Sequence, residues 1–163
     1  KRVLHYDPAL WRPDASLATV HRHLVPALFC IPSVGADLLA LPPAHREVLR
    51  DWLGFYRRHQ PVLNGGEFEP VWVAGDYQSF RATLGDRQVA APFSAFPVEV
   101  GGVPETLLIN AGGSATVNLA AGAKLAISVE NARGEGTSSP RSLGLGLHQV
   151  SCAPGAVLRI RKD

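Results

Sequence analysis

The pattern of apolar and polar positions changes once along the chain, at Gly66. Between residues 42 and 66 the apolar side chains recur every three or four positions, which places them on one helical face: Val48, Leu49, Trp52, Leu53 and Tyr56. After Gly66, short apolar runs alternate with turn residues, as is typical of strands. The pattern therefore predicts a strongly amphipathic helix followed by a β-rich tail.

The first 41 residues carry weaker signals. Residues 3–6 are a candidate strand, and Asp14 is placed to cap a helix over 15–29. Pro26 is expected to kink or end this helix, because proline lacks the N–H that a helix interior needs. The apolar run at 28–31 is either a strand or the end of the helix.

Glycine and proline divide the tail into short apolar runs. Residues 80–84 and 88–91 flank Gly85-Asp86 and predict a hairpin with a short turn. Further strands are predicted over 71–73, 98–100, 106–110, 115–119, 125–130, 143–150 and 157–160. Short strands at this even spacing indicate an antiparallel β-sandwich. The fold class is therefore α+β, with a β-sandwich domain over residues 67–163 that follows residues 1–66.

Composition and charge are those of an ordinary globular protein. Of 163 residues, 46% are hydrophobic and 18% are charged. The net charge of +2 argues against nucleic acid or an acidic membrane as a partner, and no apolar run reaches the roughly 18 residues of a membrane span. The chain has no methionine, so we expect that Lys1 is not its native start. The compartment stays open.

Histidine and cysteine are the candidate metal ligands. Five of the six histidines lie in the first 60 residues, but His21 and His23 are about 200° apart on a helix and do not converge. The sequence has no HExxH motif and no paired cysteines, so we expect packing or surface histidines and no metal.

Cys30 and Cys152 lie in apolar surroundings, which favours two buried free thiols, and a disulfide between them stays open.

No local motif for catalysis or nucleotide binding is present. No serine lies in a GxSxG elbow, and no glycine pair extends to GxGxxG or GxxxxGK[ST], so we predict no cofactor.

Aromatic residues that could stack on sugars are a separate signal. Trp52 lies on the apolar helix face and Trp72 in a strand of undetermined exposure, with Tyr77 nearby. Trp11, in a polar loop, is the best candidate for contact with a ligand.

The segment 19–66 resembles the end of the catalytic barrel in bacterial α-galactosidases of glycoside hydrolase family 36, in clan D. In that family an arginine-bearing helix leads to a short strand with a glycine, a "DL..L" step, an aromatic helix with basic residues and an "L..G" exit. The matching positions here are Arg22, Gly35, Asp37-Leu38, Leu41, Trp52, Tyr56, Arg57 and Leu63-x-x-Gly66. The chain departs from the family at His59-Gln60, where the family carries an arginine.

The resemblance implies that residues 1–66 are the terminal elements of a (β/α)8 barrel and that an antiparallel C-terminal domain follows. The family's retaining chemistry uses two aspartates on earlier barrel strands, which would precede Lys1, so no catalytic residue is assigned here. Ser33 and Asp37 follow the segment that matches the last barrel strand, so both are candidates for the pocket rim, as is Trp11 for substrate contact. The implied partners are the rest of the barrel, a carbohydrate substrate and a further copy of the chain.

Two alternatives stay open beside this interpretation. One is a non-catalytic carbohydrate-binding or adhesion sandwich with an N-terminal helical arm, which exposed coplanar aromatic residues would favour. The scarcity of aromatic residues late in the tail, with none after Phe96, argues against it. The other is a self-contained α+β interaction domain, with its helices packed on one sheet face.

Overall fold

A computed structural model describes residues 8–163, so the strand predicted over 3–6 lies outside the described residues. Within 8–163 two helices precede ten strands, which confirms the α+β class. In chain order these are α1 (Leu17–Ala27), α2 (Pro43–Gly65), β1 (Glu67–Val73), β2 (Asp76–Leu84), β3 (Arg87–Pro92), β4 (Val98–Val100), β5 (Glu105–Ile109), β6 (Thr116–Ala121), β7 (Leu125–Glu130), β8 (Arg141–Leu143), β9 (Gly146–Ser151) and β10 (Val157–Lys162).

Helix α1 begins two residues later than predicted, and its cap is a different residue. The Oγ of Ser16 accepts a hydrogen bond from the Thr19 N–H at 3.2 Å, so Ser16 is the N-cap. Asp14 instead forms a surface ion pair with Arg12. The helix ends one residue after Pro26, consistent with the expected stop.

Helix α2 has the predicted position but a wider buried face. Leu49 and Trp52 are buried as predicted, whereas Val48, Leu53 and Tyr56 are partly buried and pack against the same core. The buried face also includes His45, Phe55, His59, Val62 and Leu63. The two histidines could not be found from the apolar pattern, because they are polar residues that serve as packing groups.

Gly66 marks a close approach between the end of α2 and the sheet. A Cβ atom there would lie 2.5 Å from the Val62 carbonyl oxygen and 2.7 Å from the Thr83 carbonyl oxygen. No side chain fits at that spacing. The glycine therefore allows β1 to start directly beneath the helix.

The strands form two mixed sheets in a sandwich-like arrangement. One has the order β1-β2-β3-β5-β10-β7-β8 and the other β4-β6-β9. The β2–β3 hairpin turns at Gly85-Asp86 as predicted. The expectation of a purely antiparallel sandwich is wrong at two places, because β3 pairs in parallel with β5 and β4 in parallel with β6. After β3 the chain contributes β4 to the other sheet and then returns as β5, and this crossover permits a parallel pair.

The seven-stranded sheet separates two cores. The helices cover one face and the three-stranded sheet covers the other, so neighbouring residues of one strand, such as Leu107 and Leu108, belong to different cores. The helices thus share a core with the sheet that follows them. Gly66 is a boundary between types of secondary structure, and the division there into a barrel end and a separate domain stays a prediction.

Candidate functional site

The candidate site lies where two extended segments meet, one before α1 and one after it. The Ala9 N–H donates a hydrogen bond to the Ser33 carbonyl oxygen at 2.8 Å, and the Gly35 N–H donates to the Ala9 carbonyl oxygen at 3.0 Å. These bonds form a parallel bridge between Ala9 and Val34. A parallel pairing of this kind needs a crossover, which α1 supplies. Gly35 also packs closely on Pro8, since a Cβ at Gly35 would lie 3.2 Å from the Pro8 Cβ.

Ser33 and Asp37 are both exposed at this junction. Ser33 contributes its backbone carbonyl to the bridge. The Asp37 carboxylate accepts a hydrogen bond from the Leu39 N–H at 3.0 Å, and the Asp37 carbonyl accepts one from Ala40. Asp37 therefore caps a surface turn, and its assignment to a pocket rim stays a prediction.

Trp11 is a buried residue with a defined hydrogen bond. Its side chain is 6% exposed, and its Nε1–H donates to His45 Nδ1 at 3.2 Å. The other ring nitrogen of His45 lies 3.0 Å from the Ala15 carbonyl oxygen, so Nε2 carries the proton. Trp11 also lines a surface depression of about 610 Å³ with Leu10, Arg12, Pro13, Asp14, Ala15, Thr19 and His23. Only the part of Trp11 that lines this depression is open to a ligand.

Exposed aromatic residues lie elsewhere, at the tip of the β1–β2 hairpin. Trp72 is 56% exposed and Tyr77 is 46% exposed, with their ring centroids 4.5 Å apart and their planes at 79°. Ala74 and Gly75 have φ angles of +53° and +86°, as in a two-residue type I′ turn. The Ala-Gly pair between two strand patterns was the sequence signal that could have placed Trp72 beside a hairpin turn.

A partly buried group of charged residues forms an ion-pair network. Arg159 donates two hydrogen bonds to the Glu130 carboxylate, at 2.9 and 3.1 Å, and one to Glu105 at 2.6 Å. Burial acts to raise the pKa of Glu105, but the hydrogen bond and charge of Arg159, with the charge of Arg87, lower it overall. Burial and the nearby Arg87 lower the pKa of His59 to about 4. These carboxylates are committed to ion pairs.

Potential metal ligands and thiols are dispersed. Within residues 8–163 no group of three or more His, Cys, Asp or Glu side chains is arranged to hold a metal ion. Both cysteines are free thiols, Cys30 half-buried and Cys152 buried, so the alternative of a disulfide between them is wrong. In the same part of the chain, neither helix combines the length and apolarity needed to cross a membrane.

No protein-family model, curated protein or solved structure matches the chain.

Proposed function

We propose that this chain is the C-terminal part of a retaining glycoside hydrolase that acts on α-galactosides or related glycosides, with catalytic carboxylates that precede Lys1. Residues 1–66 would close a (β/α)8 barrel, and residues 67–163 would form the domain that follows. The observation that carries the proposal is the parallel pairing of Ala9 with Val34 across α1. Parallel strands joined by a helix are the repeating unit of such a barrel.

Apolar side chains near this pairing support the rest of a barrel as partner. Around the two extended segments, four large apolar residues remain exposed: Leu10, Ile31, Leu38 and Leu39. Leu39 is 89% exposed, the highest value among the large apolar residues of the described part of the chain, and it lies next to the exposed Leu38. In the proposed assembly, preceding barrel elements cover these side chains.

The ion-pair network supports a catalytic centre outside this chain. Retaining hydrolysis needs two carboxyl groups about 5–5.5 Å apart, one of which must act as an acid. The buried Glu130 and the partly buried Glu105 are instead held by Arg159. The proposal therefore gives this chain a structural role and places the chemistry on earlier strands.

The exposed Trp72 favours a second candidate, a carbohydrate-binding β-domain without hydrolytic activity. Its indole ring lies at a hairpin tip, where one face can stack on a sugar. Tyr77 stands at 79° to it, so the two rings do not form the coplanar platform that repeated sugar units would need.

Hydrolysis of 4-nitrophenyl α-D-galactopyranoside tests the proposal. We expect turnover by the protein encoded by the complete reading frame, and none by the 163-residue chain alone. Turnover by the 163-residue chain would overturn the proposal, because its catalytic pair would then lie inside. A reading frame that encodes no β/α repeats before Lys1 would overturn it as well.

A further inference from the structure

A groove runs between the two sheets on the side away from the helices. It has a volume of about 480 Å³, within the range of small-molecule sites. Arg81 and Gln88 of the seven-stranded sheet line one side. The strands of the three-stranded sheet line the other side through Glu99, Val100, Ala120, Ala121 and Leu147. A second depression of about 240 Å³ adjoins it and shares Arg81, Glu99 and Ala120.

Arg81 is the unusual residue of this groove. Its side chain is only 17% exposed, and within residues 8–163 its buried Nε–H has no hydrogen-bond partner. The nearest carboxylate oxygens are 3.6 Å from Nε, on Glu69, and 3.8 Å from Nη1, on Glu99. Both distances exceed that of a hydrogen bond. A buried N–H without an acceptor is costly, so Arg81 is available to donate to a further acceptor.

The charges around Arg81 select the kind of acceptor. One guanidinium faces two carboxylates, so the groove has a local excess of negative charge at neutral pH. A second anion would be repelled by Glu69 and Glu99. A hydroxyl group beside the pair can accept from Arg81 and donate to Glu99 at the same time, so it bridges the two without adding charge.

Apolar side chains lie at both ends of this polar centre. Leu147 is 75% exposed in the larger depression, and Phe96 is 46% exposed in the adjoining one. Sugar rings combine hydroxyl groups with apolar C–H faces, which pack on exposed aromatic and aliphatic side chains. The groove therefore offers a polar centre with apolar contacts on either side.

We propose that the groove between the sheets binds a neutral glycan, one hydroxyl of which bridges Arg81 and Glu99. This site is separate from the barrel end. The inference rests on the proposed function only in the choice of a galactoside as the first probe.

NMR titration of the ¹⁵N-labelled 163-residue chain tests this inference. The probes are methyl α-D-galactopyranoside, methyl α-D-glucopyranoside and methyl α-D-mannopyranoside, with sodium acetate as the anionic arm. We expect at least one sugar to give saturable shifts of the Arg81 Nε–H signal and of the groove amides of Gly102, Gly122 and Gly146. Arg81→Gln should weaken that binding about tenfold or more, and Arg46→Gln, at an exposed arginine of α2, should leave it unchanged.

Glu99→Gln distinguishes a neutral ligand from an anion. It should weaken sugar binding, because an amide is a poorer acceptor than a carboxylate, whereas it would strengthen acetate binding by removing a repulsion. If Arg81→Gln melts at a much lower temperature, Arg81→Lys replaces it in the titration, because lysine keeps the charge but loses the fork of donors. The inference is overturned if no sugar gives saturable shifts, if acetate alone binds, or if Arg81→Gln and Arg81→Lys both bind as tightly as the original chain. Sugar binding here and hydrolysis by the complete reading frame are measured separately, so either can fail alone.

Discussion

The two faces of the seven-stranded sheet carry cores of different chemistry. The core beneath the helices is rich in rings, with Trp11, Phe29, Trp52 and Phe55 buried and with Phe68, Phe80 and Phe93 packed against them. Among residues 8–163, the core between the sheets includes no aromatic side chain and is built from Val, Leu, Ile and Ala, with Cys152. One sheet can therefore pack against two kinds of core. Under the helices, ring geometry fixes how the side chains meet, whereas inside the sandwich the contacts are between aliphatic side chains.

The helix side contains indole–imidazole hydrogen bonds, which the aliphatic side chains of the sandwich core do not form. Trp52 Nε1–H donates to His21 Nδ1 at 2.7 Å, as Trp11 does to His45, so each indole is tied to a neutral imidazole. Burial lowers the pKa of His21 and keeps it in that neutral form. Acid should therefore disturb the helix layer before it disturbs the aliphatic sandwich.

The largest expected effect comes from Trp52→Ala. Trp52 is 1% exposed, and its loss removes a large buried side chain and leaves His21 without its donor, so we expect a loss of about 3–5 kcal/mol in the free energy of unfolding. Trp72→Ala is the matched control, because that exposed indole should cost less than about 0.5 kcal/mol. Urea unfolding followed by far-UV circular dichroism measures both. Equal costs would show that the aromatic core is not the structural element we describe.

Gly155→Ala should produce the next largest effect. Gly155 has φ +78°, and a Cβ there would lie 2.5 Å from ring atoms of His21. We expect a loss of about 2–3 kcal/mol, from backbone strain together with displacement of the imidazole that Trp52 needs. Gly85→Ala, at φ +56° with open space around it, separates the two causes and should cost about 1 kcal/mol. Thermal melting measures the loss of stability in both variants. Equal losses in Gly155→Ala and Gly85→Ala would refute the steric account.

A smaller effect is expected from the pH dependence of His59. Its pKa falls from the usual 6.5 to about 4 because of burial and the positive charges of Arg87, Arg58 and Arg159, against the weaker opposing charge of Glu105. Between those values the unfolded chain binds a proton that the folded chain does not, so stability falls as the pH drops from about 6.5 to about 4.

His59→Gln removes this titration and should flatten the dependence by about 1–2 kcal/mol between pH 7 and pH 4, after allowance for solvent screening. His23→Gln, at an exposed histidine, should leave the slope unchanged. Urea unfolding at a series of pH values measures it. A slope in His59→Gln as steep as in the original chain would assign the acid sensitivity to other groups, since only the smaller contribution of groups such as His21 should remain.

The sequence predicts secondary structure better than it predicts which residues contact a ligand. Periodicity located α2 and most strands, because helix and strand patterns depend on near neighbours. The single strand predicted over 143–150 is wrong, since β8 and β9 are separate strands in different sheets. The parallel pairing of β3 with β5 was missed, since it depends on a strand donated to another sheet. The polar neighbours Arg12 and Asp14 predict Trp11 as a ligand contact, which stays a prediction, whereas its burial depends on long-range packing against His45 that no local pattern marks. No local pattern marks Arg81, because the burial of its unpartnered Nε depends on how the strands pack.

The accessibility of residue 39 tests the account most directly. Leu39→Cys and Leu145→Cys place thiols at two exposed positions, while burial raises the pKa of Cys30 and raises that of Cys152 to about 12, which makes both native thiols slow to react. Maleimide labelling is compared between the 163-residue chain and the protein of the complete reading frame. If residues 1–66 close a barrel, labelling in Leu39→Cys is fast in the chain alone and much slower in the longer protein, and labelling in Leu145→Cys is fast in both. Equal rates for Leu39→Cys in the two proteins would contradict the account.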